Sequence, residues 1–161
     1  MTRHLYILLA TSGSIALLGG ALLFQYVGGL APCQMCIWQR WPHAAAIVLG
    51  ILALAQIRRA RGFAAIAVLA MLIGVGIGMF HAGVEWDWWE GITACAGSGN
   101  ALDGLTGDSL LPSSGGALGV VRCDEAAWVF LGLSMAGWNA VFSLILAGLW
   151  IKVASTPRVA G

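Results

Sequence analysis

The stretch that decides the fold is residues 63–84, FAAIAVLAMLIGVGIGMFHAGV, which contains no acidic side chain, lysine or arginine. A helix needs about 20 apolar residues to cross the hydrocarbon core of a bilayer, so this stretch predicts a membrane-spanning helix. Three other segments are long and apolar enough, at about 5–24, 36–57 and 127–151. We therefore predict an all-α membrane protein in which residues 1–161 form one domain, a four-transmembrane-helix bundle.

The composition supports membrane insertion. The chain has 161 residues, of which 60% are hydrophobic and only 9% are charged, whereas about 25% of the residues of a soluble domain are charged. The first segment follows Arg3 and His4 and contains several small residues, so a cleaved signal peptide is an alternative interpretation. We favour a membrane helix because the uncharged stretch is long enough to span and no sharp A-x-A cleavage site ends it.

The charged residues are divided between two faces. Six of the eight basic residues lie at the amino end, between the second and third spans, or at the carboxyl end, namely Arg3, Arg58, Arg59, Arg61, Lys152 and Arg158. With four spans these places share one face, and the positive-inside rule makes that face cytoplasmic. All seven acidic residues lie on the opposite face, in a long loop at about 85–126 between the third and fourth spans. Both termini are therefore predicted to be cytoplasmic.

All four cysteines are then on the outer face, with Cys33 and Cys36 before the second span and Cys95 and Cys123 in the long loop. An even number of cysteines in an oxidising compartment predicts two disulfides. Four cysteines permit three pairings, of which Cys33–Cys36 is the only one between close neighbours. A Cys95–Cys123 disulfide would close a loop rich in Gly and Ser, either as a staple worth about 3 to 4 kcal/mol or as a mobile carrier of the disulfide.

The segment PCQMCIWQRWP, residues 32–42, has the features of a reactive thiol site at the membrane surface. Pro32 is suited to the first position of a helix, where its missing N–H costs nothing. Cysteines in the first helical turns face unsatisfied N–H groups that stabilise a thiolate. Arg40 lies four residues after Cys36, hence on the same helix face. Pro42 predicts a kink, and the span must begin upstream of it to be long enough.

This segment could pass electrons to a lipid-soluble acceptor. Thiolates exchange with disulfides by direct attack, so two neighbouring cysteine pairs can transfer two electrons in sequence. A quinone is a suitable acceptor because it diffuses in the bilayer, and Arg40 could hold its reduced oxygen or could instead extend to the headgroups.

The third span carries two further features near its outer end. His81 and Glu85 stand one turn apart and could handle protons or contact a ligand, although ordinary interface residues would look the same. Gly74 and Gly78 form a G-x-x-x-G pair, which predicts close packing of this helix against another.

These motifs resemble those of the bacterial disulfide-bond formation protein B (DsbB) family. The resemblance rests on PCQMCIWQRWP, on the two later single cysteines and on CDEAAWVFLGLSMAGW at residues 123–138. It implies a four-helix inner-membrane oxidoreductase that reoxidises a periplasmic thioredoxin-like oxidase of the DsbA type. The electrons would pass to ubiquinone or menaquinone.

The resemblance also implies roles for individual residues. Cys95 and Cys123 correspond to the periplasmic loop pair that exchanges with the partner, and Cys95 is the expected site of the mixed disulfide. Cys33 and Cys36 correspond to the pair at the membrane edge, with Cys36 meeting the quinone. Arg40 matches an arginine that supports this step, and no nucleic acid or resident metal is expected.

Three alternatives remain open on the sequence. The vitamin K epoxide reductase family has related chemistry, but its loop cysteines precede the Cys-x-x-Cys pair, whereas Cys33 and Cys36 come first here. A metal-binding membrane protein could use the four outer cysteines, although Cys95 and Cys123 are too far apart to form a second Cys-x-x-Cys pair. A structural membrane protein with two inert disulfides is the third alternative.

Overall fold

The computed structural model describes residues 2–92 and 123–156. Its elements, in chain order, are α1 (Arg3–Tyr26), α2 (Gln34–Trp38), α3 (Arg40–Ala55), a 3₁₀ turn (Ile57–Arg59), α4 (Ala60–Glu85), β1 (Val129–Phe130), β2 (Leu133–Ser134) and α5 (Met135–Ser155). The predicted all-α class is confirmed for the described residues apart from one two-stranded hairpin.

The four long helices pack side by side as a bundle. Helix α4 packs against α3 and α5, and α1 completes the bundle by packing against the same two helices. The core between them consists of small and apolar side chains, including Ile7, Met71 and Trp150, which are fully buried. Many other apolar side chains face outward, as a bilayer environment requires.

In the part of the chain that the structure describes, three helical segments are long and apolar enough to cross a membrane, Arg3–Tyr26, Ile57–Glu85 and Met135–Ser155. The predicted span at 36–57 differs from these because it is divided at Gln39 into α2 and α3. Helix α3 has 16 residues, about 24 Å at 1.5 Å per residue, which is less than a hydrocarbon core of about 30 Å. Within residues 2–92 and 123–156 the structure therefore shows three candidate spans rather than the predicted four.

Pro42 explains where this division falls. It lies in the first turn of α3, where its missing N–H needs no partner. The amide of Gln39 instead closes the end of α2 by donating to the carbonyl of Met35 at 3.1 Å.

The last predicted span begins later than expected. We predicted a helix from about residue 127, but residues Val129 to Ser134 form the β1–β2 hairpin and α5 begins at Met135. The backbone at Leu131 and Gly132 has φ values of 51° and 79°, the left-handed conformation that a two-residue hairpin turn requires. This hairpin brings the chain back to the end of the bundle that carries the cysteines.

The small residues of the predicted G-x-x-x-G pair lie at helix contacts. An ideal Cβ at Gly78 would stand 3.1 Å from the carbonyl oxygen of Ala136 and 3.1 Å from the amide nitrogen of Ala140, both on α5. One at Gly74 would lie 3.3 Å from the ring of Pro42 on α3. The prediction of close helix packing is confirmed at both glycines.

Candidate functional site

The cysteines of the Cys-x-x-Cys pair occupy the amino end of α2. Cys33 is the N-cap residue, and its Sγ accepts a hydrogen bond from the amide of Cys36 at 3.3 Å. Pro32 thus precedes the cap instead of opening the helix as predicted, because the cysteine sulfur already satisfies a first-turn amide. Cys36 lies in the first turn, as expected.

The two sulfurs are close but not bonded. The Sγ atoms of Cys33 and Cys36 are 2.9 Å apart, longer than a disulfide bond of about 2.05 Å, and both thiols are free. The thiol of Cys33 donates a hydrogen bond to the sulfur of Cys36. The Cys33–Cys36 disulfide stays a prediction, and the sulfurs are near enough to form it without a large backbone movement.

This hydrogen bond makes the two thiols unequal. It raises the pKa of Cys33 to about 12, with burial as the second cause. The same bond, received from Cys33, lowers the pKa of Cys36 below its ordinary value. Cys36 is therefore the sulfur that ionises first and the stronger candidate for a nucleophile at neutral pH.

His81 lies against Cys33 on the side formed by α4. Its Nε2 is 3.5 Å from the Sγ of Cys33 and 3.8 Å from the Oε1 of Glu85. Its Nδ1 is 2.8 Å from the side-chain nitrogen of Gln39, so the amide donates and the proton of a neutral imidazole belongs on Nε2. In this arrangement the protonated Nε2 faces the sulfur of Cys33, so His81 can donate to that sulfur and favour its thiolate.

Cys123 joins this group from the loop side. It is fully buried in a cluster with Cys33, Met35 and Val84, against which Cys36 also packs. Cys95, its predicted partner, lies outside the described residues, so the Cys95–Cys123 disulfide is untested. The structure thus brings three of the four predicted cysteines to one end of the bundle.

A cavity of about 240 Å³ opens beside Cys36 between α1, α3 and α5. Its walls are mostly apolar and aromatic and include Leu17, Phe24, Trp128 and Phe142. Its polar lining consists of Cys36, Gln39, Arg40, His43 and Asn139. A mostly apolar cavity with a few convergent polar groups is the usual form of a site for an apolar small molecule.

Arg40 lines this cavity, and its guanidinium group reaches α1. One of its terminal nitrogens donates a 2.6 Å hydrogen bond to the side-chain oxygen of Gln25 on α1. Its Nε is buried and has no hydrogen-bond partner among the residues that the structure describes. The guanidinium therefore retains a buried donor, and the predicted role of Arg40 in holding a ligand oxygen stays a prediction.

Two residues that were predicted as possible ligand contacts, His81 and Glu85, lie away from this cavity. Within the described ranges, neither His81 nor Glu85 belongs to the cavity lining, and both stand on the Cys33 side of the pair. Gln39, His43 and Asn139 were not predicted from the sequence, although polar residues inside apolar segments are a recognised signal of function.

The same end of the bundle has the donor groups of a metal site. One ligand atom each from Cys33, Cys36 and His81 lies within 4.8 Å of the others. Two thiolates and an imidazole suit Zn²⁺, which normally takes a fourth ligand. No resident metal was predicted from the sequence, and this set is the specific observation that keeps metal binding as an alternative.

Comparison with known proteins gives a family match over nearly the whole chain. The family described as "Disulfide bond formation protein DsbB" matches residues 3–153. No solved structure matches the chain.

The curated relatives carry the same description. "Disulfide bond formation protein B" of Aromatoleum aromaticum is 31% identical over 148 residues, covering 88% of this chain and 86% of the relative. The protein of the same description from Marinobacter nauticus is 33% identical and covers 85% of this chain and 84% of its own length. "Disulfide bond formation protein B 2" of Pseudomonas aeruginosa is 33% identical and covers 92% and 89%.

Proposed function

This chain belongs to the DsbB family of disulfide bond formation proteins, and from that premise we propose that it is a thiol:quinone oxidoreductase of the bacterial inner membrane. Its dithiol substrate is a periplasmic thioredoxin-like oxidase of the DsbA type. The overall reaction converts the partner dithiol and a quinone into the partner disulfide and a quinol.

The proposed topology has four crossings, with both termini in the cytoplasm and all cysteines in the periplasm. The α2–α3 segment supplies the fourth crossing, and its first turn lies at the membrane edge. Hydrogen bonds from Arg3 to the carbonyl of Thr156 and from Arg61 to that of Ala154 support this arrangement. They join the starts of α1 and α4 to the end of α5, opposite the cysteines.

The cysteines act in two exchange steps. A partner thiolate attacks the Cys95–Cys123 disulfide and forms a mixed disulfide at Cys95, which the second partner thiol resolves. The Cys95 and Cys123 thiols then reduce the Cys33–Cys36 disulfide by the same chemistry. The burial of Cys123 beside Cys33 supports this second step.

Reoxidation of Cys33 and Cys36 forms one S–S bond and releases two electrons and two protons. A quinone, when bound, supplies the acceptor for both. The lowered pKa of Cys36 makes its sulfur the electron donor, and the Nε2–H of His81 can donate to the sulfur of Cys33 as that thiol loses its proton. The unpartnered Nε of Arg40 fits a ring oxygen that gains negative charge.

The observation that carries this proposal is the shared position of Cys36 and Arg40 on one apolar cavity, with Cys123 packed behind the pair. A structural protein with inert disulfides would need neither a buried cation nor a cavity beside a reactive thiol. The apolar walls suit a quinone ring, whereas a water-soluble acceptor would require more polar lining.

The test is anaerobic mixing of the purified protein with a reduced thioredoxin-like oxidase and a soluble quinone analogue. Quinone absorbance and the thiol content of the partner are followed together, with ubiquinone and menaquinone analogues in separate runs. We expect quinone reduction in step with partner oxidation, no turnover in Cys36→Ser, and turnover reduced at least tenfold in Arg40→Ala. The exposed Arg59→Ala is the matched control and should retain full activity.

Absence of quinone reduction by the wild-type protein with both analogues would overturn the proposal. Metal binding would then be the leading alternative because of the Cys33, Cys36 and His81 set. Zinc titration of the reduced protein decides it, since a metal-binding protein should take up one ion tightly and lose it in His81→Ala. The nearby Arg40 argues against this alternative, because a fixed positive charge disfavours a cation.

A further inference from the structure

A chain of buried hydrogen bonds leads from the cysteine pair into the bundle. Gln39 contacts the Nδ1 of His81 at 2.8 Å through its side-chain nitrogen and accepts from the side-chain nitrogen of Asn139 at 2.8 Å. The Oδ1 of Asn139 is 2.9 Å from the Nε2 of His43. His43, His81 and Asn139 belong to α3, α4 and α5, respectively, and Gln39 is the residue between α2 and α3.

The direction of each bond in this chain follows from the previous one. Because the amide nitrogen of Gln39 donates to His81, its oxygen is free to accept from Asn139. The side-chain nitrogen of Asn139 donates to Gln39, and the side-chain oxygen of Asn139 faces His43 and accepts. The Nε2 of His43 must therefore carry a proton, which it donates to that oxygen. In the neutral ring this leaves the Nδ1 of His43 as a hydrogen-bond acceptor.

That acceptor has no partner in the part of the chain that the structure describes. The Nδ1 of His43 is buried and makes no hydrogen bond, and the whole residue is only 2% exposed. Leaving such a group unsatisfied is costly, so it calls for a partner from outside the protein. His43 and Asn139 both line the cavity beside Cys36, whose remaining walls are mainly apolar.

We propose that His43, oriented by Asn139, accepts a hydrogen bond from a hydroxyl of the quinol and so makes the cavity prefer the reduced ligand. This inference rests on the proposed function, which it deepens. His43 follows Arg40 by three residues on α3, a rise of about 4.5 Å, which is of the order of the width of one quinone ring. Arg40 would hold one oxygen and His43 the oxygen on the opposite side of the ring.

A preference of this kind assists the reaction. A quinol hydroxyl donates to a bare nitrogen, whereas a quinone carbonyl presents only lone pairs to it. Binding energy that exists only with the reduced ring favours electron transfer from the dithiol.

The test measures binding without turnover. Cys33→Ser protein cannot form the disulfide, and residue 33 is not part of the cavity lining. Equilibrium dialysis under anaerobic conditions gives the Kd values of a short-chain ubiquinone and of its quinol in detergent. We expect the quinol to bind more tightly than the quinone. The ratio of the quinone Kd to the quinol Kd should fall about tenfold when His43→Gln is added.

The choice of glutamine isolates one atom. Its amide nitrogen can replace the Nε2 donor towards Asn139, but it provides nothing at the position of Nδ1. Asn139→Ala is the second variant. Without the Asn139 side chain, the imidazole of His43 is no longer held in one tautomer, so this variant should also lower the ratio. His4→Gln, the same substitution at an exposed position on α1, is the matched control and should leave the ratio unchanged.

Equal binding of quinone and quinol before and after His43→Gln would overturn the inference. Wild-type turnover, measured in parallel, separates this result from failure of the proposed function. Turnover with no His43-dependent preference rejects only the inference, whereas no turnover and no binding of either form rejects both.

Discussion

Cys33 and Cys36 differ in acidity because one hydrogen bond acts on them in opposite directions. The pKa of Cys33 is raised to about 12 and that of Cys36 is lowered. Since alkylation requires the thiolate, we expect iodoacetamide to modify Cys36 first in the reduced protein at neutral pH. A lowered pKa also means that labelling of Cys36 persists at pH values where an ordinary thiol no longer reacts. Peptide mapping by mass spectrometry measures both rates.

Cys33→Ala is the matched variant for this prediction. It removes the donor that stabilises the Cys36 thiolate, so the pKa of Cys36 should rise and its labelling at neutral pH should slow. Preferential labelling of Cys33 in the wild-type protein would contradict the assigned direction of the hydrogen bond.

The sequence identified the residues whose chemistry is local. Cys33, Cys36 and Arg40 lie within one short motif, so their proximity follows from helical spacing. Gln39 and Asn139, in contrast, are 100 positions apart and meet only through the packing of α5. No periodicity in the sequence pairs them, which is why the polar chain behind the cavity emerged only from the structure.

At the scale of elements, helix ends were less predictable than helix existence. Apolar length alone indicates the long helices, but the division at Gln39 and the hairpin before α5 depend on local geometry. The hairpin could not be expected because CDEAAWVFLGLS lacks a Gly or Asn at the first turn position, where Leu131 adopts a positive φ. Val129 and Phe130 are apolar enough to extend a helical pattern.

The start of α5 depends on a side-chain cap. Ser134 is fully buried, and its Oγ accepts a 3.2 Å hydrogen bond from the amide of Gly137. Ser134→Ala should therefore lower the free energy of unfolding by about 1 kcal/mol. Denaturation with SDS in mixed micelles, followed by circular dichroism, measures the change.

Ser12→Ala provides the comparison for this cap. The hydroxyl of Ser12 donates to the carbonyl of Leu9 in the interior of α1 and is exposed, so its removal should change stability by less than about 0.5 kcal/mol. Equal losses for the two alanine variants would show that the cap contributes nothing specific.

At the scale of the whole molecule, charge predicted which helix ends lie together. The basic residues at the amino end, between the second and third spans, and near the carboxyl end were assigned to one face. The contacts of Arg3 with Thr156 and of Arg61 with Ala154 join the three corresponding helix ends. What charge could not predict is which helix packs on which neighbour, because that depends on the shapes of the facing surfaces.

Gly78 offers a direct test of that packing. Gly78→Ala places a Cβ 3.1 Å from the backbone of Ala136 and Ala140, so α4 and α5 must separate slightly. We expect the free energy of unfolding to fall by about 1 kcal/mol, after the helix-forming advantage of alanine offsets part of the overpacking cost. Gly76→Ala is the control, because among the described residues no atom of a neighbouring helix lies within 4 Å of its Cβ, and stability should stay level or rise. SDS denaturation in mixed micelles compares the two, and equal stabilities would mean that α4 and α5 do not pack as closely as described.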